Sequence, residues 1–211
     1  MSRAHRVLWM LKELEIPFKH IATNFLDGST QHPDFLLINP NGRVPAIDDD
    51  GLLLFESLAI NLYLAKKHRR ALSPVNLIED AVATQWTLWV ATEIEKPLLL
   101  AAANSFLFQE GLRSEEEKSI AMLKLDRPWQ VLEKHLTDRM YLMAERFTVA
   151  DLNVAAVMDL IPPAGISLAK YPRMSGWLMR CLDRPAANDW RSVSFTIPRP
   201  PTPLGILKMF V

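Results

Sequence analysis

The chain predicts two modules in series, an α/β module over residues 1–70 and an all-α helical bundle over 75–195, with a proline-rich tail at 196–211. Three observations carry this. The first third mixes helical stripes with short β-type runs around an Asp-Gly turn, everything from residue 80 to about 190 has helical periodicity alone, and Leu72-Ser73-Pro74 reads as a linker between them.

The elements of the first module follow in order. Arg3 to Glu15 places Val7, Leu8, Leu11 and Leu14 on one helical stripe and stops before Pro17. Phe18 to Asn24 alternates Phe18, His20 and Ala22 against Lys19, Ile21 and Thr23, the pattern of a strand, and Asp27-Gly28-Ser29 is a loop. A short helix is expected from Pro33 to Ile38. The run Ala46 to Phe55 reads as two strands around an Asp-Gly turn, and Ser57 to His68 as a helix. Its end carries Lys66-Lys67-His68-Arg69-Arg70, where cations favour the helix dipole. The order is α-β-α-β-β-α. A parallel partner for the strand at Phe18 to Asn24 would have to precede the first helix, giving βαβαββα, and no residues ahead of Met1 supply it. The sheet is therefore expected to lack its first strand.

In the second module, Asp80 to Leu107 predicts a long helix bearing Trp86, Trp89, Ile94 and Leu98 and bent at Pro97. Ser114 to Leu136 opens on Glu115, Glu116 and Glu117, which suits a helix N-terminus. Further helices are expected at Thr148 to Ile161, Tyr171 to Leu182 and Ala186 to Arg191. Thr148 and Asp151 have capping-box spacing, and Phe147 can staple onto Leu152, so Asp151 reads as structural rather than as a catalytic base.

Composition narrows the function classes. With 211 residues and 49% hydrophobic content, a buried core is assured. Lys and Arg balance Asp and Glu at 24 each, so no global field favours nucleic acid or an anionic membrane. The longest apolar stretch, Pro97 to Ala103, is too short for a bilayer, and no secretory leader is evident. One cysteine, Cys181, excludes an internal disulfide framework and a Cys-x-x-Cys pair; it reads as an inert buried thiol in a reducing, cytoplasmic protein. The five histidines show no ligand spacing, so no metal is expected.

The motif that carries function is Asn39-Pro40-Asn41-Gly42-Arg43-Val44-Pro45, followed eleven residues after Pro45 by Glu56-Ser57. The residue before a proline is pushed toward extended backbone, so Val44 can offer its N–H and C=O to a peptide as a strand edge does. Ser57 opens a helix whose N-terminus, with a hydroxyl at its cap, suits a carboxylate, while Glu56 can take an ammonium. A zwitterionic head joined to an extended thiol peptide fits both ends. Glutathione has that shape.

With Ser2-Arg3-Ala4, the Asn39–Pro45 motif, Glu56-Ser57 and Phe147-Thr148-Val149-Ala150-Asp151 in this order, the chain resembles a cytosolic glutathione transferase of the theta-like or related bacterial serine type. The resemblance implies a thioredoxin-like first module and a homodimer. It also implies glutathione as co-substrate, conjugated to an electrophilic small molecule without a metal. It sets Arg43 at the edge of the site, pairs Val44 with the cysteinyl backbone, makes Pro45 cis, and gives Glu56 and Ser57 the γ-glutamyl group. The family's usual catalytic hydroxyl lies shortly before the position of Ser2, which here falls upstream of Met1. The chain is accordingly expected to be a truncated enzyme of low activity. Ser2 is the remaining candidate hydroxyl at the first helix, unless it merely caps that helix. Trp86, Trp89 and Phe106 are candidates for an acceptor pocket, with core packing as their other reading. A non-catalytic binding or scaffold role, and glutathione-dependent peroxidase or dehalogenase chemistry, stay open.

Overall fold

A computed structural model describes residues 3–25, 27–69, 71–143 and 145–189. Helix α1 (Ala4–Glu13) buries His5 through Leu11 in an unbroken run, because it is packed on more than one side, chiefly by the helices introduced below as α3, α7 and α9. It ends in a Schellman arrangement: Glu15 N–H donates to the Lys12 carbonyl and Ile16 N–H to the Leu11 carbonyl, with Glu15 left-handed at φ 50°.

Phe18 to Asn24 corrects the expectation of a strand. No ladder forms there, and Ile21 is 72% exposed. Period-two alternation makes a strand only where a neighbour takes up its backbone groups, and none of the described residues offers one. Among the described residues the sheet comprises two antiparallel strands, β1 (Ala46–Asp49) and β2 (Leu52–Phe55), in register from Ala46 opposite Phe55 to Asp49 opposite Leu52. Asp50 and Gly51, at φ 54° and 89°, are both left-handed, as the hairpin turn demands. Helices α2 (Pro33–Ile38) and α3 (Ser57–His68) complete this small thioredoxin-like module. Asp49 fastens the hairpin to α3 by accepting the Tyr63 hydroxyl at 2.8 Å and the Lys67 ammonium at 2.6 Å. Lys66 pairs with Asp80, so two cations of the basic run are spent inside the fold.

The linker is docked rather than loose. Leu72 is buried and its carbonyl accepts the Val149 N–H at 3.1 Å, while the Arg146 guanidinium donates to the carbonyls of Ala71 and Ser73.

Asn76 caps α4 (Leu77–Trp89), accepting the Glu79 N–H at 2.9 Å, so this helix begins a turn earlier than the expected Asp80. A π-turn at Val90–Ile94 leads into α5 (Glu95–Ala102), and a second π-turn closes the segment at Ala103–Leu107. Pro97 stands in the first turn of α5, where its missing N–H and its ring are accommodated by the widened turn just before it. Helix α6 (Glu115–His135) is capped by Ser114, whose hydroxyl accepts the Glu117 N–H.

Helix α7 (Val149–Met158) is buried over its whole length and packs against α1, α3, α4 and α8 (Pro172–Leu182). Its capping box is present, and Asp151 does more than cap. One oxygen accepts the Thr148 N–H and hydroxyl, the other the Leu142 N–H and the Trp177 indole N–H. Phe147 packs on Trp9 and Tyr141, under the Arg184 guanidinium at 4.0 Å. Helix α9 (Pro185–Asp189) ends the described residues; the tail at 196–211 lies outside them.

Candidate functional site

The loop from Asn39 to Pro45 is built from within. The buried Asn39 side chain donates to the Arg43 carbonyl at 2.6 Å and accepts the Asn41 N–H at 3.0 Å. Gly42 has φ 59°, strained for any side chain, and a Cβ there would push the Gln31 amide aside from 2.2 Å and crowd the Thr30 carbonyl at 3.0 Å, so glycine is strongly favoured. Gln31 in turn donates to the Gly42 carbonyl at 3.3 Å. This scaffold presents Val44 half-buried before a cis Val44–Pro45 peptide, with Arg43 exposed beside it. Among the described residues nothing pairs with the backbone of Val44.

At the start of α3 the arrangement differs from the expected hydroxyl cap. Glu56 holds the N-cap position, with an exposed side chain that makes no capping bond, and its φ of 70° is left-handed for a bulky residue. Ser57 is the first helical residue. It is 2% exposed, and its hydroxyl accepts from the Arg6 guanidinium at 3.4 Å.

Arg6 and Glu95 join the site from other elements. Arg6 is 4% exposed and donates to Glu95 at 2.8 Å, and Arg3 donates to the same oxygen at 2.7 Å. Burial pulls the Arg6 guanidinium below its ordinary value against the opposing pull of Glu95. Burial alone would raise the Glu95 carboxyl, but the two arginines together hold it below the usual range. Both partners stay charged near neutrality. The i, i+3 spacing of Arg3 and Arg6 on α1 was the available signal; nothing local announced Glu95 as their partner.

Ser2 lies outside the described residues. Trp86 is 4% exposed, packed edge-on to Trp89 at 4.9 Å and against His135 at 4.7 Å, which is a core position. Trp89 and Phe106 are half-buried, and Phe106 falls in the π-turn beyond α5, about 30 Å from Trp86 at the rise of a continuous helix. A cavity of about 420 Å³ lies elsewhere, lined by the linker from Ala71 to Ser73 and by Val75, Arg146, Phe147 and Arg184. Cys181 is buried, and that burial pushes its thiol well above the ordinary range, so it is no nucleophile at neutral pH. Among the described residues there is no cluster of three metal-ligating side chains, and no helix is long and apolar enough to cross a membrane.

Residues 1–66 match the glutathione S-transferase N-terminal domain and residues 80–185 the glutathione S-transferase C-terminal domain. The chain belongs to the glutathione S-transferase family. Among its relatives is glutathione S-transferase 3 of Zea mays, 32% identical over 210 residues, covering 94% of this chain and 91% of that protein. Disulfide-bond oxidoreductase YfcG of Escherichia coli K12 is 31% identical over 194 residues, covering 88% of each. A solved glutathione S-transferase-I with bound lactoylglutathione matches with a TM-score of 0.82 at 27% identity, covering 92% of this chain and 96% of that one. Against that family background, the cis Val44–Pro45 peptide and the start of α3 stand in one module, and Glu95 reaches it from the other.

Proposed function

We propose that this transferase-family chain binds glutathione between the Val44 backbone and the start of α3 and passes its thiolate to an electrophilic small molecule. The observation that carries the reading is the uncapped α3 N-terminus with Arg6 beneath it. The first-turn N–H groups, the Ser57 hydroxyl and the buried cation form a preorganised seat for the γ-glutamyl carboxylate. Glu56, exposed alongside, takes the ammonium. The free N–H and C=O of Val44 pair with the cysteinyl backbone, and Arg43 stands at the edge.

The chemistry then rests on the thiol. A free cysteine thiol has a pKa near 8.5, so lowering it by two units needs about 2.7 kcal/mol of preferential thiolate stabilisation. The N-terminus of α1 and the nearby Arg3 support this, with Ser2 as the proposed hydroxyl donor. Half-buried Trp89 is proposed to border the acceptor, with Trp86 behind it, whereas Phe106 stands too far along the helical segment to share that pocket.

Calorimetry tests the glutathione seat. Glu56→Gln combined with Ser57→Ala is expected to weaken glutathione binding at least about tenfold, or 1.4 kcal/mol, with helix content unchanged; unaltered affinity would overturn the site. We further propose that the chain acts in the cytoplasm as a homodimer, the first module of one copy against the helices of the other. An interface of that kind buries more than about 1,200 Å². Light scattering at micromolar concentration should give twice the chain mass, and a monomer counts against it.

A further inference from the structure

Two buried asparagines connect the helical half to the elements that carry Arg6 and Ser57. The Asn61 amide of α3 donates to the Arg6 carbonyl at 3.2 Å and to the Asn153 side-chain carbonyl at 2.9 Å. From α7, the Asn153 amide donates to the Leu58 carbonyl at 3.3 Å and to the Thr87 hydroxyl of α4 at 3.0 Å. Both side chains are fully buried.

The geometry is directional. One end of the chain of bonds holds the main chain of Arg6 itself; the other holds the residue next to Ser57. The Asn61 carbonyl has no partner among the described residues. Turning that amide over would aim its carbonyl at the Arg6 carbonyl, so the orientation is fixed by Arg6 at the expense of an unpaired acceptor. A leucine would fill the same space without that unpaired atom. What the amide adds is a fixed distance between α1 and α3, referenced to α7 and α4.

We propose that Asn61 and Asn153 are positioning residues for glutathione, setting the separation of Arg6 and Ser57 so that the seat at the α3 N-terminus is held ready before the ligand arrives. The proposal rests on the function argued above. Neither asparagine touches the ligand; both act through the main chain that carries the groups that do.

The test uses Asn61→Leu and Thr87→Val in the full chain, read by steady-state kinetics in both substrates and by hydrogen exchange. Asn61→Leu should raise the KM for glutathione about tenfold while leaving the KM for a chromogenic electrophile within about twofold. Exchange should quicken at residues 5–9 and 57–61. Thr87→Val, which loosens only the far end, should move the glutathione KM in the same direction by less, and it decides the matter if Asn61→Leu does not fold. A merely structural role would reduce the yield of active enzyme with both KM values intact, and that result overturns the proposal. If the unmodified chain does not saturate with glutathione, the proposed function falls. The positioning proposal falls with it, whereas a chain that saturates with glutathione while Asn61→Leu and Thr87→Val leave its glutathione KM unchanged overturns the positioning proposal alone.

Discussion

Helices α3 and α7 begin in opposite ways. At α7, Thr148 and Asp151 close the end on itself. One buried carboxylate accepts four donors, two of them from Leu142 and Trp177 outside the cap. At α3, the N-cap residue Glu56 turns its side chain to solvent and makes no cap bond, while the first helical hydroxyl meets a buried guanidinium. A helix end with satisfied donors is finished structure, whereas one with free donors over a fixed cation is a place for an anion. The same local element is thus finished structure in one module and, in the proposed function, the seat for an anion in the other.

The largest expected effect breaks the closed end. Asp151→Ala leaves the Thr148 and Leu142 N–H groups and the Trp177 indole N–H buried without partners, each at about 1 to 3 kcal/mol. A loss of more than about 3 kcal/mol in a denaturant titration is expected, comparable to a large share of a typical domain's stability. A loss below about 1 kcal/mol would show that water reaches those donors.

Glu56→Gly sharpens the other side of the comparison. Glycine accepts the φ of 70° without strain, so stability should hold or rise by up to about 1 kcal/mol, while the ammonium partner is lost. The expected outcome is an unchanged or higher melting temperature with glutathione binding weakened about tenfold. A clear fall in melting temperature would mean that Glu56 is structural, like Asp151.

The two helix starts also differ in how far they could be read from sequence. The α7 cap is local: Thr148 and Asp151 are three residues apart, and the expected pairing is present. The same holds for α6, whose acidic first turn and Ser114 marked its start, and for the hairpin, where Asp50-Gly51 fixed the turn. At α3 the motif placed Glu56 and Ser57 at a helix start, but Ser57 is the first helical residue beneath a left-handed Glu56 rather than the cap, and its partner Arg6 is 51 residues away. Glu95 is 89 residues from Arg6 and Asn153 is 92 from Asn61, separations that no spacing rule reaches. Phe18 to Asn24 failed for the converse reason. Its alternation was a true local preference, but a strand is a property of a pair, and the described residues supply no partner. The π-turns around α5 stayed hidden because the apolar pattern runs through them unbroken.

The smallest effect sets the two regions' carboxylates against each other in acid. Burial lifts the Asp151 carboxyl above its unfolded value near 4, so the folded chain keeps that proton to higher pH than the unfolded chain. The stability from this group is full below about pH 4 and declines as pH rises through the raised folded value. Glu95 has the opposite sign. Arg6 and Arg3 outweigh its burial and hold it below its unfolded value near 4.3, so its contribution is present above about pH 4.3 and is lost as pH falls through the lowered folded value. Denaturant midpoints of the unmodified chain, Asp151→Asn and Glu95→Gln across pH 3 to 7 separate the two. The advantage of the unmodified chain over Glu95→Gln should shrink on acidification, and its advantage over Asp151→Asn should grow. Parallel shifts in both comparisons would mean that global charge, rather than the two local environments, governs the acid limb.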